Sequence, residues 1–302
     1  MPTTSSLRER TLKKLRHGPY GPQVFRLRGL TYAGRRPALS PSDAALVATL
    51  KREVAAVTSL DELNYPSTEK LSDDVVRLVA ALPDRSALAV AGDPLEARNT
   101  HLHCFSIDPP ELADEYPSIL LWGLEPRLLD VVENYLGVPV AFESVHLRKD
   151  IGTAQQVGTR IWHLDTEDQR VVRILIYLSD VDEDSGPFEY VPLPLTRRHR
   201  ELHDRALRAS GDPILDDEIA ETIPREEWRQ CVGPAGTVVI ADNALVLHHG
   251  RVHQRERLAL IYTYTSRHPR YSVPIRNPRF DHILTSRQRS CFFVRTTRQE
   301  AL

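Results

Sequence analysis

The chain has 302 residues, 41% hydrophobic and 26% charged, with 39 basic and 41 acidic side chains and a formal net charge of −2. This is the composition of an ordinary globular protein with a sizeable core, not of a disordered chain or one drawn by global charge to nucleic acid or an anionic membrane. Three scattered cysteines, Cys104, Cys231 and Cys291, exclude a disulfide framework or thiolate zinc knuckle, so a bound metal must rely on carboxylates and the twelve histidines.

The polar, basic stretch Met1–Gly18 has no apolar segment and does not read as a secretory signal. Leu7–Arg16 reads as a short amphipathic helix, followed by a strand at Gln23–Leu27. Pro41–Val57 carries Ala, Leu and Val at helical spacing, with Ser40 or Ser42 as its cap. Ser72–Leu82 and Pro126–Leu136 read as further helices, the second stopped by Gly137. A strand is also expected within His101–Ile107.

Beyond Gly137 the texture changes to short runs of Val, Ile, Tyr and Thr: Val138–Leu147, Thr159–Asp165, Arg170–Val181, Pro187–Pro192, Gly236–Ala241, Ala244–His248 and Arg257–Ser266. A polar helical insert, Leu195–Ala209 and Pro213–Glu227, interrupts them. The expected fold class is mainly β with helical support, the core being a barrel or double-sheet jelly roll. One domain is expected: helical support over 1–137, a β core over 138–267 with the insert at 195–227, and an arginine-rich tail over 268–302. No apolar run approaches the roughly 20 residues of a spanning helix, so the expected location is cytoplasmic.

The chemistry centres on Trp162-His163-Leu164-Asp165. Side chains of a strand alternate, so His163 and Asp165 share a face and supply two-thirds of a facial triad for non-haem Fe(II). The third ligand must come from a later strand, and His248-His249-Gly250 offers it. On a strand only one of the two histidines can face the metal. Arg257 opens the next apolar run. A His closing one strand and an Arg opening the next suits an enzyme using 2-oxoglutarate, whose remote carboxylate the planar guanidinium fork matches. Arg255 competes with Arg257, which is better placed to project into a barrel.

These segments resemble the phytanoyl-CoA dioxygenase-like branch of the Fe(II)/2-oxoglutarate oxygenases, over roughly Val145–Thr265. The resemblance rests on Trp162-His163-Leu164-Asp165, on Ile176-Tyr177-Leu178-Ser179-Asp180 through Gly186-Pro187 to Pro192, and on His248-His249-Gly250 followed by Arg257. It departs where the family continues into Gly-Ser-His, since Leu193-Pro194-Leu195 stands there. It implies His163, Asp165 and His248 as metal ligands, the family's ligand-x-Gly pattern favouring His248 over His249. It implies Arg257 as the 2-oxoglutarate anchor, with Gln156 (or Gln155) at a distance where the family places a cosubstrate-contacting polar residue. The activity implied is oxidation, most simply hydroxylation, of a small organic substrate, with 2-oxoglutarate and O2 converted to succinate and CO2. A carrier-bound substrate fits the same chemistry. Halogenating relatives replace the carboxylate by a small residue, so Asp165 points to hydroxylation, desaturation or a related oxidation.

Other readings stand beside it. A cupin-like metal hydrolase or isomerase would use the same three ligands without Arg257, and a non-catalytic binding protein could retain the fold. His101, His103 and Cys104 read as a packed strand, and His199 and His203 as a solvated helix face without the metalloprotease glutamate. Tyr177 reads as a core tyrosine. The arginines between Arg270 and Arg298 read as a solvated or packed tail.

Overall fold

The structure, a computed structural model, describes residues 14–82, 104–107, 112, 114–207, 213–252, 254–270 and 282–292. The expectations at His101, His103 and most of Leu7–Arg16 lie outside them. Nine strands are described: β1 (Ala55–Ser59), β2 (Cys104–Ile107), β3 (Val140–Asp150), β4 (Val172–Tyr177), β5 (Phe188–Tyr190), β6 (Arg229–Cys231), β7 (Thr237–Asp242), β8 (His248–Gly250) and β9 (Arg257–Ser266). They form two antiparallel sheets, a six-stranded one in the order β1-β7-β4-β9-β3-β2 and a three-stranded one in the order β6-β5-β8.

The large sheet buries both faces. Its outer face (Ile174, Ile176, Val238, Ile240, Leu260, Tyr262 and Tyr264) packs with α1 (Pro126–Leu136), whose Leu128, Leu129, Val132 and Leu136 share that core. Phe25 of the helix Gly21–Tyr32 and Val47 and Leu50 of the helix Pro41–Glu53 join it. The inner face carries Leu175, Tyr177, Val239, Ala241 and Ala259, which pack with Phe188 and Cys231 of the small sheet. The insert supplies Leu202, Ile214, Ile219 and Ile223 to a third cluster with Trp162, Trp228 and Leu247. Cys104, Cys231 and Cys291 are all buried free thiols. Among the described residues no helix is long and apolar enough to cross a membrane.

One irregularity decides what the inner face carries. The β3–β9 register shifts between Phe142 and Ser144. Before the shift, Val140 and Phe142 belong to the outer core, and after it Val145 and Leu147 do. A β-bulge of this kind inserts one residue and exchanges the faces of everything downstream. It sends His146, Arg148 and Asp150 to the inner face, where a regular strand would have driven them into the helix-covered core.

Several expected elements differ. Gln23–Leu27 is not a strand but part of the helix Gly21–Tyr32, which starts with Pro22 in its first turn, a position where the fixed φ of proline suits a helix. The helix from Pro41 is capped by Ser40, which accepts from Asp43 N at 3.1 Å, but it stops at Glu53. Val54 turns left-handed at φ 68°, and the next residues form β1 along β7. Asp242 N donates to Val54 O at 3.0 Å, so tertiary pairing holds a conformation a β-branched residue avoids. Gly137 ends its helix at φ 75°, as expected. Thr159–Asp165 is not a strand: a 3-10 turn at Gly158–Arg160 is followed by single bridges from Trp162 to Ile214 and from His163 to His248. The run beginning at Ala244 pairs only from His248 to Gly250.

Candidate metal centre

His163 and His248 are cross-strand partners that exchange both backbone hydrogen bonds, each N donating to the other's O at 3.1 Å. This pairing, between residues 85 apart in the chain, brings their rings to 4.3 Å between centroids. Asp165 is fixed two residues on, where its N donates to Asn243 O at 3.0 Å. Asp165 Oδ1 then lies 3.8 Å from His163 Nε2 and 4.0 Å from His248 Nε2. One ligand atom from each residue falls within 4.8 Å of the other two, a group that can hold a metal ion.

The imidazoles are oriented alike. His163 Nδ1 lies 2.7 Å from Ile161 O and His248 Nδ1 lies 3.0 Å from Val246 O, in each case the carbonyl two residues upstream. A carbonyl only accepts, so Nδ1 carries a proton in both rings and each Nε2 is turned toward the shared space, that of His248 lying 2.9 Å from the Asn243 amide nitrogen. Burial, then the neighbouring His163, pushes the His248 pKa down to about 3, which keeps this ring neutral and able to ligate. Burial would raise the Asp165 carboxyl, but Arg173, His248 and His163 together outweigh it and hold the group well below the usual range. Arg173 Nε donates to Asp165 Oδ2 at 2.8 Å, leaving Oδ1 for the shared space, and Arg173 is itself held by Glu167 and Thr263.

Strand alternation separates the adjacent histidines. His248 faces the cavity with Phe188 stacked at 5.5 Å. His249 pairs across the small sheet with Glu189: its Nε2 is 2.8 Å from Glu189 Oε2, its Nδ1 is 2.9 Å from Arg160 O, and it stacks on Trp162 at 3.9 Å. Both of its nitrogens are therefore engaged by oxygen atoms.

The centre opens into a cavity of about 230 Å³ between the sheets. The inner strand faces order its wall. Register places Arg173 beside Thr263 at the metal end, Leu175 beside Ile261 and His146 in the middle, and Arg148 and Arg257 further along. Arg257 is 5% exposed and lines this far end, while Arg255 is half-exposed and pairs with Asp182. Gln156 is not brought to the cavity wall. Its amide nitrogen donates to Asp216 Oδ1 at 2.7 Å and to Arg160 O at 2.9 Å, because the helix Asp216–Thr222 of the insert folds against it. Asp216 also accepts from Trp162 Nε1 at 2.8 Å, so the insert braces the residue preceding His163. Tyr177 lies in the core, where its hydroxyl donates to Cys231 O at 2.8 Å.

His146, Arg148, Arg173 and Asn243 are cavity residues absent from the sequence reading. The signal for three of them was available. Arg173 is a lone charge within Val171–Leu175, and His146, Arg148 and Asp150 alternate with Val145, Leu147 and Lys149. Asn243 had none. Its backbone holds Asp165, its amide nitrogen lies 2.9 Å from His248 Nε2, and only the folded register brings these together. Burial, then Arg173 and Arg148, pushes the His146 pKa down to about 4. Its neutral ring therefore contributes stability that is complete above its unfolded value near 6.5 and is lost as pH falls through about 4. Urea denaturation is expected to show a lower midpoint at pH 5 than at pH 7, with His146→Gln narrowing the difference.

No protein-family model matches the chain, and no curated protein does. Solved structures do resemble it. EctD from S. alaskensis with bound Fe aligns at a TM-score of 0.50 and 19% identity, over 81% of this chain and 85% of that chain. The same protein with 2-oxoglutarate and 5-hydroxyectoine aligns at 0.46 and 17%, over 76% and 82%. HygX from Streptomyces hygroscopicus with nickel and 2-oxoglutarate bound aligns at 0.47 and 15%, over 76% and 88%. The first of these alignments gives the chain the overall fold of EctD, and at this identity the likeness extends to the fold alone.

Proposed function

We propose that this protein is an Fe(II)- and 2-oxoglutarate-dependent oxygenase on a double-stranded β-helix core, in the phytanoyl-CoA dioxygenase-like branch, acting on a small organic substrate. The observation that carries this reading is one cavity with two ends: His163, Asp165 and His248 at one, and the buried Arg257 at the other. The donor set, two imidazoles and one carboxylate, suits non-haem Fe(II) and leaves coordination positions for other ligands. EctD, whose fold the chain shares, has been crystallised with iron.

His163, Asp165 and His248 would hold the metal, with Arg173 keeping the carboxylate ionised and turned inward. The bound iron, with 2-oxoglutarate and O2, supplies the oxidising power, and succinate and CO2 are the co-products. Arg257 receives the remote carboxylate of 2-oxoglutarate. Leu175, Ile261 and Phe188 give the space between an apolar lining that excludes water. Hydroxylation is the simplest outcome, because Asp165 occupies the place that a halogenating enzyme leaves open. A metal hydrolase or isomerase on the same ligands has no use for a guanidinium opposite the metal, and Arg257 weighs against it.

Anaerobic addition of Fe(II) and 2-oxoglutarate is expected to produce a weak visible charge-transfer band. Admission of O2 is then expected to convert 2-oxoglutarate to succinate. A protein that binds the metal but forms no band and consumes no 2-oxoglutarate would instead be the hydrolase or isomerase.

A further inference from the structure

The far end of the cavity carries two guanidiniums. Downstream of the bulge in β3, Arg148 and Asp150 face inward, and β9 sets Arg257 directly opposite Asp150. Asp150 is 2% exposed and braces both arginines. Its Oδ1 accepts from Arg148 Nε at 2.7 Å, and its Oδ2 accepts from Arg257 Nη2 at 2.6 Å and Nε at 3.1 Å. Arg148 Nη2 donates to Thr159 Oγ1 at 2.6 Å, and Arg257 Nη1 donates to Gly186 O. Arg148 Nη1 has no protein hydrogen-bond partner among the described residues, and Arg148, Arg257, Thr159 and Gly250 all line the cavity.

Arg148 and Arg257 share one carboxylate, and the buried Arg160 guanidinium also interacts with all three, so this end carries excess positive charge. Uncompensated buried charge is costly, and an anionic group at this end offsets it. The planar forks of Arg148 and Arg257 fit a carboxylate.

We propose that Arg148 is a second anchor for the remote carboxylate of 2-oxoglutarate, forming with Arg257 a two-guanidinium clasp that Asp150 positions. This rests on the functional reading above and extends it to a residue outside the resemblance.

The test is calorimetry on the Mn(II)-loaded protein with 2-oxoglutarate and with 2-oxobutyrate, which lacks the remote carboxylate. Arg148→Leu is expected to weaken 2-oxoglutarate by roughly tenfold to a hundredfold, the range of a charge-assisted hydrogen bond. Binding of 2-oxobutyrate is expected to change less than about twofold, since it meets neither guanidinium. Should Arg148→Leu fail to fold, Arg148→Lys keeps Asp150 paired but loses the fork, and a smaller loss confined to 2-oxoglutarate is expected. Wild-type affinity for 2-oxoglutarate in either variant, or equal loss of both ligands, overturns the clasp while leaving the proposed function standing. A wild-type protein that binds Mn(II) but neither 2-oxo acid overturns the functional reading and the clasp with it.

Discussion

His248→Ala is expected to abolish tight metal binding and all 2-oxoglutarate turnover, whereas His249→Ala is expected chiefly to destabilise the protein. The two neighbours stand on opposite faces of β8. His248 offers Nε2 beside Asp165 and His163, so its truncation leaves two of the three ligands and should weaken the metal by more than about a hundredfold, beyond the 10–100-fold effect usual for an outer partner. His249 instead satisfies Glu189, 2% exposed, and stacks on Trp162. Removing one partner of a buried pair strands the other, which costs about 3–5 kcal/mol. Gln230 still donates to Glu189 at 2.8 Å, which places the loss toward the lower figure. Calorimetric Mn(II) binding and thermal melts on both variants check this. Intact metal affinity in His248→Ala would reassign the third ligand.

The second large effect concerns Arg257. Arg257→Ala is expected to lower stability by about 3 kcal/mol as well as to weaken 2-oxoglutarate, because Arg257 donates two of the three side-chain hydrogen bonds that the buried Asp150 accepts. Burial alone would raise the Asp150 carboxyl, but the Arg257 and Arg148 charges hold it well below the usual range, so its ionised form depends on them. Arg257→Lys keeps a cation against Asp150 and is expected to recover most of the stability but not the affinity, since an ammonium cannot supply the fork. Urea melts separate the two losses. An Arg257→Ala protein as stable as the wild type would show that Arg148 alone can carry Asp150.

The candidate site was legible where chemistry is local. His163 and Asp165 two apart, a later His and an Arg opening an apolar strand are visible in one dimension, although His163 is held by a single bridge to His248 and Asp165 by Asn243 O rather than by a regular strand. The composition had left only His and carboxylate as metal ligands, and the structure brings together two histidines and one aspartate. Gln156 shows the limit of that reasoning. Its distance from His163 in sequence was suggestive, but the helix beginning at Asp216, sixty residues away, claims its amide. The same applies to Gln23–Leu27, whose β-like residues follow Pro22 into a helix, and to β1, which exists because β7 pairs with it past a left-handed Val54.

The sequence by itself determined the residue types of the candidate site, the strand-rich second half and the chain positions that offer them. Tertiary structure decided which of them meet. The backbone exchange between His163 and His248 sets the metal end. The alternation of β8 assigns His248 to it and His249 to Glu189. The extra residue between Phe142 and Ser144 turns His146, Arg148 and Asp150 inward. Side-chain direction in a sheet has a period of two, so a single inserted residue reverses it, and only the pairing with β9 fixes where that reversal falls.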